Sequence, residues 1–129
     1  MHILDEIDRV FQLEIDTLTK VRDGLDGAYI KAAELLSQCS GKVVVTGMGK
    51  SGLIAQKISS TMVSTGTPAA YLHAGDGMHG DVGTIQEGDV ALAISKSGET
   101  EEVLNVLLYI KSIGVPIISI TANPESTLA

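Results

Sequence analysis

Three clusters of residues carry types and spacings that suit chemistry on a phosphorylated or hydroxyl-rich small molecule. They are Gly47-Met48-Gly49-Lys50-Ser51-Gly52, the loop Gly75-Asp76-Gly77-Met78-His79-Gly80-Asp81, and Ser95-Lys96-Ser97-Gly98-Glu99-Thr100. In the first, glycines allow a ligand to come close to the backbone, and Lys50 places a cation where a helix should begin. The macrodipole disfavours a cation at that end, so a bound anion would resolve the conflict. The bland alternative is a Lys50 that points into solvent. The cluster also fits the G-x-G-x-x-G spacing of dinucleotide sites, a weak signal by itself. A dinucleotide fold wants an acidic residue at the end of the second strand, and Tyr71-Leu72-His73 stands there instead. A phosphate loop of the G-x-x-x-x-G-K-S kind would need a glycine at Val44.

In the third cluster, the hydroxyls of Ser95, Ser97 and Thr100 crowd the start of a helix, where free N–H groups point outward and suit a phosphate. Ordinary capping explains one hydroxyl there, and Glu99, Glu101 and Glu102 would complement the dipole. Three hydroxyls exceed that need and favour phosphate. In the middle cluster, His79 sits between Asp76 and Asp81. Too few ligands stand close together for a metal, and the spacing fits no zinc pattern. A lone loop histidine is usually just exposed. With an ordinary pKa of about 6.5, His79 could also polarise a hydroxyl or carry a proton at neutral pH.

These clusters lie at the ends of strands in an alternating pattern. Apolar residues at Ile7, Val10, Phe11, Ile15, Leu18, Val21 and Leu25 follow a helical period among acidic residues, and Tyr29, Ile30, Ala33 and Leu36 continue it after Gly24 and Gly27. Two helices therefore precede the first strand, Lys42 to Thr46. A helix through Leu53, Ile58 and Met62, a strand at 69–73, a glycine-rich loop from Ala74 to Gly83, a strand at 89–95, a helix from about Thr100 to Ile113 and a strand at 116–121 follow. Strands apolar on both faces and alternating with helices predict an α/β fold: an open parallel sheet with helices on both faces, doubly wound in the flavodoxin manner. Residues 1–40 form the helical lead and 41–129 the sheet domain, which reads as truncated because the chain stops just after a strand.

Composition narrows the function classes. The chain has 129 residues, enough for one domain, and its 44% hydrophobic but 3% aromatic content calls for a core of aliphatic residues. A net charge of −7 with scattered lysines and arginines argues against nucleic acid as a partner. Cys39 alone forms no internal disulfide, the first residues lack the pattern of a signal peptide, and no apolar stretch approaches a membrane span. The expectation is a soluble cytoplasmic protein that binds neither nucleic acid nor membrane. The Ile7/Val10/Phe11/Ile15 stripe offers more apolar surface than such a domain covers internally, which predicts a symmetric homo-oligomer.

With these motifs in order, the chain resembles the arabinose 5-phosphate isomerase family across essentially its whole length. The resemblance is carried by Val45-Thr46-Gly47-Met48-Gly49-Lys50-Ser51-Gly52, Ser64-Thr65-Gly66-Thr67-Pro68, His79-Gly80-Asp81 and Ala93-Ile94-Ser95-Lys96-Ser97-Gly98-Glu99. It implies the SIS (sugar isomerase) fold, interconversion of D-ribulose 5-phosphate and D-arabinose 5-phosphate for Kdo and lipopolysaccharide synthesis, no cofactor, and a homo-oligomer, tetrameric in the family. It assigns Lys50, His79 and Glu102 to catalysis, Ser51, Ser95, Ser97 and Thr100 to the substrate phosphate, and Gly47, Gly49 and Gly98 to the loop backbones. Glu102 would be the base and Lys50 its electrostatic partner. Family members carry a further glutamate and histidine in the rest of the domain, and usually CBS domains, so this chain is expected to be weakly active or inactive by itself. Lys96 stands where many relatives carry a small polar residue. The alternative is a regulatory SIS module that binds a sugar phosphate without turning it over.

Overall fold

A computed structural model describes residues 2–77 and 80–129. The chain divides into two compact units, Met1–Ala33 and Glu34–Ala129. The first is dominated by helix α1 (Ile3–Asp23), capped by the His2 side chain and closed where the Gly24 N–H reaches back to the carbonyls of Lys20 and Val21. Asp5 and Glu6 in its first turn and Lys20 and Arg22 in its last match the helix dipole. No residue of α1 is buried, and Phe11 is 61% exposed, so its apolar stripe is present but uncovered. Helix α2 (Gly27–Ser37) follows, its first turn held by Asp26, which accepts from the N–H of Ala28.

The second unit is the sheet domain. Strands β1 (Val43–Gly47), β2 (Ala69–His73), β3 (Val90–Ile94) and β4 (Ile117–Ile120) are all parallel, in the order β2-β1-β3-β4 among the described residues. Helix α3 (Gly49–Ser64) connects β1 to β2, and α5 (Glu101–Ser112) connects β3 to β4. Successive strand residues face opposite sides, so β1 and β3 supply two cores at once. Val44, Ala91 and Ala93 meet Val103, Val106, Leu107 and Ile110 of α5, whereas Val43, Val45, Leu92 and Ile94 meet Ala55 and the half-buried Ile58 and Met62 of α3. Small residues set the spacing on both sides: alanines of β3 admit α5, and Gly52, Ala55 and Ser59 are what α3 buries. This is the open, doubly wound parallel sheet expected from the strand pattern, with helices on both faces.

The glycine-rich connection from Ala74 to Gly83 departs from the expected plain loop. It contains a single helical turn, α4 (Ala74–Gly77), and a 3₁₀ turn at Asp81–Thr84. Gly77 makes this possible, because a Cβ there would lie 2.8 Å from the Cγ2 of Val106, so only glycine lets the turn rest on α5. A hydrophobic period cannot announce a turn held by such close approach.

Candidate functional site

The strand order sets where a ligand would go. The connection from β1 runs through α3 to β2 on one side, and that from β3 runs through α5 to β4 on the other, so the chain diverges between the paired strands β1 and β3. Open parallel sheets bind ligands in the crevice beyond the strand ends at that point. Thr46 is in register with Ala93, which brings the Gly47–Ser51 and Ser95–Thr100 segments side by side at the same edge. Two of the three sequence clusters therefore meet.

At the β1 end, two glycines serve packing. A Cβ on Gly47 would lie 2.9 Å from the Ser51 backbone, and one on Gly52 would lie 3.0 Å from the Tyr71 hydroxyl and 3.2 Å from the Gly47 carbonyl. The G-x-G-x-x-G spacing here lets α3 start tightly against β1. Gly49 instead adopts φ +56°, the left-handed region, and the space beyond its Cα is open. Met48, at the cap position of α3, provides no side-chain hydrogen bond, and α3 has no acidic residue in its first turn. Lys50 is exposed and Ser51 half-buried in that same turn.

At the β3 end, the hydroxyls divide their work. Ser95 is only 2% exposed; its Oγ lies 2.7 Å from the Thr100 Oγ1 and accepts from the Gly98 N–H at 3.1 Å. It supports the loop from beneath. The exposed Ser97 accepts from the Glu99 N–H at 3.1 Å, a tight local turn. Thr100 occupies the cap position of α5 without capping it, because its hydroxyl is on Ser95. Neither α3 nor α5 thus has a side-chain cap, and both begin at the crevice. The first-turn N–H groups of a helix have no intrahelical partner, and an anion is a natural one. Glu102 lies exposed in the first turn of α5.

His79 lies outside the described residues. At the end of β2, His73 stands opposite Gly47 in the sheet register; its Nδ1 accepts from the Asp76 N–H at 3.3 Å and lies 3.6 Å from the Asp76 carboxylate, while its ring meets Tyr71 edge-on. No cluster of three or more metal-ligating side chains occurs among the described residues, and no helix there is long and apolar enough to cross a membrane.

One part of the site has no signal in the sequence. Residues 121–129, after β4, run against the Ser95–Thr100 loop. The Ala122 N–H and the Thr121 hydroxyl both donate to the Lys96 carbonyl, and the Leu128 N–H donates to the Gly98 carbonyl. Gly98 has φ +70°, and a Cβ on it would collide with Ser126. Both Glu99 oxygens accept from Thr127, one from its N–H and one from its hydroxyl, each at 2.7 Å. These bonds, the backbone one foremost, hold the Glu99 carboxyl below the usual carboxylate range. Such pairing spans 28 residues and follows no local period.

Comparison with known proteins agrees with this geometry. The SIS domain pattern matches residues 35–129. The chain belongs to the SIS domain family. It is similar to the arabinose 5-phosphate isomerase KdsD of Francisella tularensis, 44% identical over 99% of this chain and 40% of the relative. Among solved structures it is similar to an Escherichia coli CFT073 protein in complex with arabinose 5-phosphate, with a TM-score of 0.89 and 38% identity over 100% of this chain and 70% of that one. A Bacteroides fragilis structure described as a phosphosugar isomerase involved in capsule formation matches at a TM-score of 0.93 and 37% identity, over 99% of this chain and 69% of that one. The chain spans about two fifths of the length of the curated relatives it matches.

Proposed function

We propose that this chain carries the sugar-phosphate site of an aldose-ketose isomerase that interconverts D-arabinose 5-phosphate and D-ribulose 5-phosphate. The observation that carries this reading is the meeting of two helix N-termini, α3 and α5, both without side-chain caps, at the crevice between β1 and β3. The substrate phosphate takes the first-turn N–H groups of α5 with the hydroxyls of Ser97 and Thr100, and Ser51 adds a contact from α3. Ser95 acts from below, fixing the Gly98 N–H and Thr100.

The reaction needs a base, an acid and a stabiliser of negative charge. Glu102 removes the proton from C2 of the aldose while O1 gains one, which forms an enediol. The O2 proton then leaves and C1 receives a proton from the same base, giving the ketose. Lys50 stabilises the developing oxyanion, and His79 moves the oxygen-bound protons. No redox cofactor or metal enters the scheme. In the cell, the product would feed synthesis of Kdo for lipopolysaccharide, as the family resemblance implies, and the protein would work in the cytoplasm. The protein would work as a homo-oligomer, a tetramer as the family resemblance implies, with α1 at the contact.

The test separates binding from turnover. Calorimetric titration of this chain should detect arabinose 5-phosphate and not arabinose, and the absence of any difference between the two would overturn the site. Deuterium uptake at C2 in heavy water is then followed with this chain and with a chimera completed from the C-terminal region of a KdsD relative. Glu102→Gln should abolish uptake and keep binding. Binding without uptake in both proteins would instead favour a regulatory module.

A further inference from the structure

The Ser95–Thr100 loop is held from one side by a single strip of chain. Carbonyls of Lys96 and Gly98 accept from Thr121, Ala122 and Leu128, Ser126 fills the space left by the missing Cβ of Gly98, and Leu128 packs on the α5 core. The strip also binds a charge. Glu99 directly precedes the cap position of α5, whose first-turn N–H groups lack a side-chain partner. A carboxylate so placed is itself an anion within reach of an anion site, and negative side chains favour helix N-termini. Here both of its oxygens are instead directed to Thr127.

We propose that Glu99 is a positioning residue: its two bonds to Thr127 latch residues 126–129 onto the loop and keep its own carboxylate from competing for the N-terminus of α5. The claim rests on the reading of that N-terminus as a phosphate site. The latch does two things at once. It fixes the loop in the conformation that leaves the amides free, and it removes an internal competitor for them.

These two effects give the latch a signature that simple support lacks. Thr127→Val removes the hydroxyl bond and releases one carboxylate oxygen while the backbone N–H still holds the other, so arabinose 5-phosphate should bind about two- to fivefold more weakly, the scale of an exposed charged contact. Adding Glu99→Gln to that variant removes the competing charge and should restore affinity, although it returns no lost hydroxyl. Thr127→Ser keeps the hydroxyl and should match the parent.

Hydrogen exchange of the ligand-free proteins reads the loop independently. Amides 97–102 should exchange faster in Thr127→Val and Glu99→Ala, with β1 amides unchanged as the measure of an intact fold. Equal loop exchange in parent, Thr127→Val and Glu99→Ala overturns the latch whether or not a ligand binds. Failure of Glu99→Gln to restore affinity overturns the competition, and so does a Thr127→Ser variant as weak as Thr127→Val. A parent that binds no arabinose 5-phosphate while its loop exchange still responds to these variants overturns the phosphate reading and leaves the latch standing.

Discussion

Asp89 and the loop hydroxyls show how differently single polar residues act at the two ends of the sheet. Asp89 precedes β3 and is 4% exposed. One oxygen accepts from the Lys42 N–H at 2.9 Å, and the other from the Lys42 ammonium at 2.7 Å and the Gln86 N–H at 2.9 Å. Burial pushes this carboxyl up, but the Lys42 side chain and the two backbone N–H groups together outweigh it and leave the carboxyl below its ordinary value. A depressed carboxyl contributes stability that is present above its unfolded pKa, about 3.8, and is lost as pH falls through the folded value. Asp89→Asn should therefore cost about 1 to 3 kcal/mol at pH 7, as bonds to a charged acceptor do. In urea titrations the gap between parent and variant should narrow below about pH 4. A gap that stays constant down to pH 2 would show that the charge is irrelevant. At the opposite end, in our proposal, the hydroxyls of Ser97 and Thr100 face a ligand. Ser97→Ala and Thr100→Ala, once shown to be folded, should each weaken arabinose 5-phosphate by about 1.5 to 3 kcal/mol if each loses a contact to a charged group. Unchanged affinity in both would place the phosphate elsewhere. Ser95→Ala should act through the loop, because its buried hydroxyl holds Gly98 and Thr100.

At the scale of elements, strands β1 and β3 were legible because both of their faces are buried and their residues read as unbroken apolar runs. Helix α5 was legible from its apolar face, Val103, Val106, Leu107 and Ile110. The 74–83 connection was not, since α4 depends on the contact between Gly77 and Val106, nor was the 121–129 strip, which depends on partners across the fold. The glycine cluster after β1 was half legible: its place beside a helix start was evident, but only the close approaches of Gly47 and Gly52 show that two of the glycines serve packing. Helix α1 leaves a different question. Its apolar stripe was readable from period alone, and no residue of it is buried. A helix of that pattern gains stability mainly by covering its apolar face. We expect sedimentation at micromolar concentration to show an oligomer, and Phe11→Asp with Ile15→Asp to shift it toward monomer without unfolding the sheet domain. A strict monomer in the parent would remove α1 as a contact between copies.

For the whole molecule, the alternation of parallel strands and helices could be read along the chain, whereas the order β2-β1-β3-β4 shows only in the structure, where it places the crevice at the divergence between β1 and β3. Nor could the balance of charge around that crevice be read. The chain carries −7 and binds, in our proposal, an anion. Two fields therefore oppose each other. The whole-protein charge repels a sugar phosphate at long range, whereas in our proposal the uncapped N–H groups attract it at contact distance, and the exposed Lys50 and Lys96 would add an attraction that salt screens. Salt distinguishes them, because the Debye length falls from about 30 Å at 0.01 M to about 8 Å at 0.15 M. The repulsion acts across that range and is screened, while contacts of about 3 Å lie inside both lengths. Raising sodium chloride from about 10 to 150 mM, in a buffer free of phosphate and sulfate, should leave arabinose 5-phosphate affinity unchanged or slightly tighter. A protein that captured its ligand mainly through exposed lysines would lose affinity over the same range, as polyanion binders do. Calorimetric titrations at four salt concentrations decide between the two. A loss of tenfold or more, about 1.4 kcal/mol, would mean that Lys50 and Lys96 dominate and that the helix N-termini contribute little.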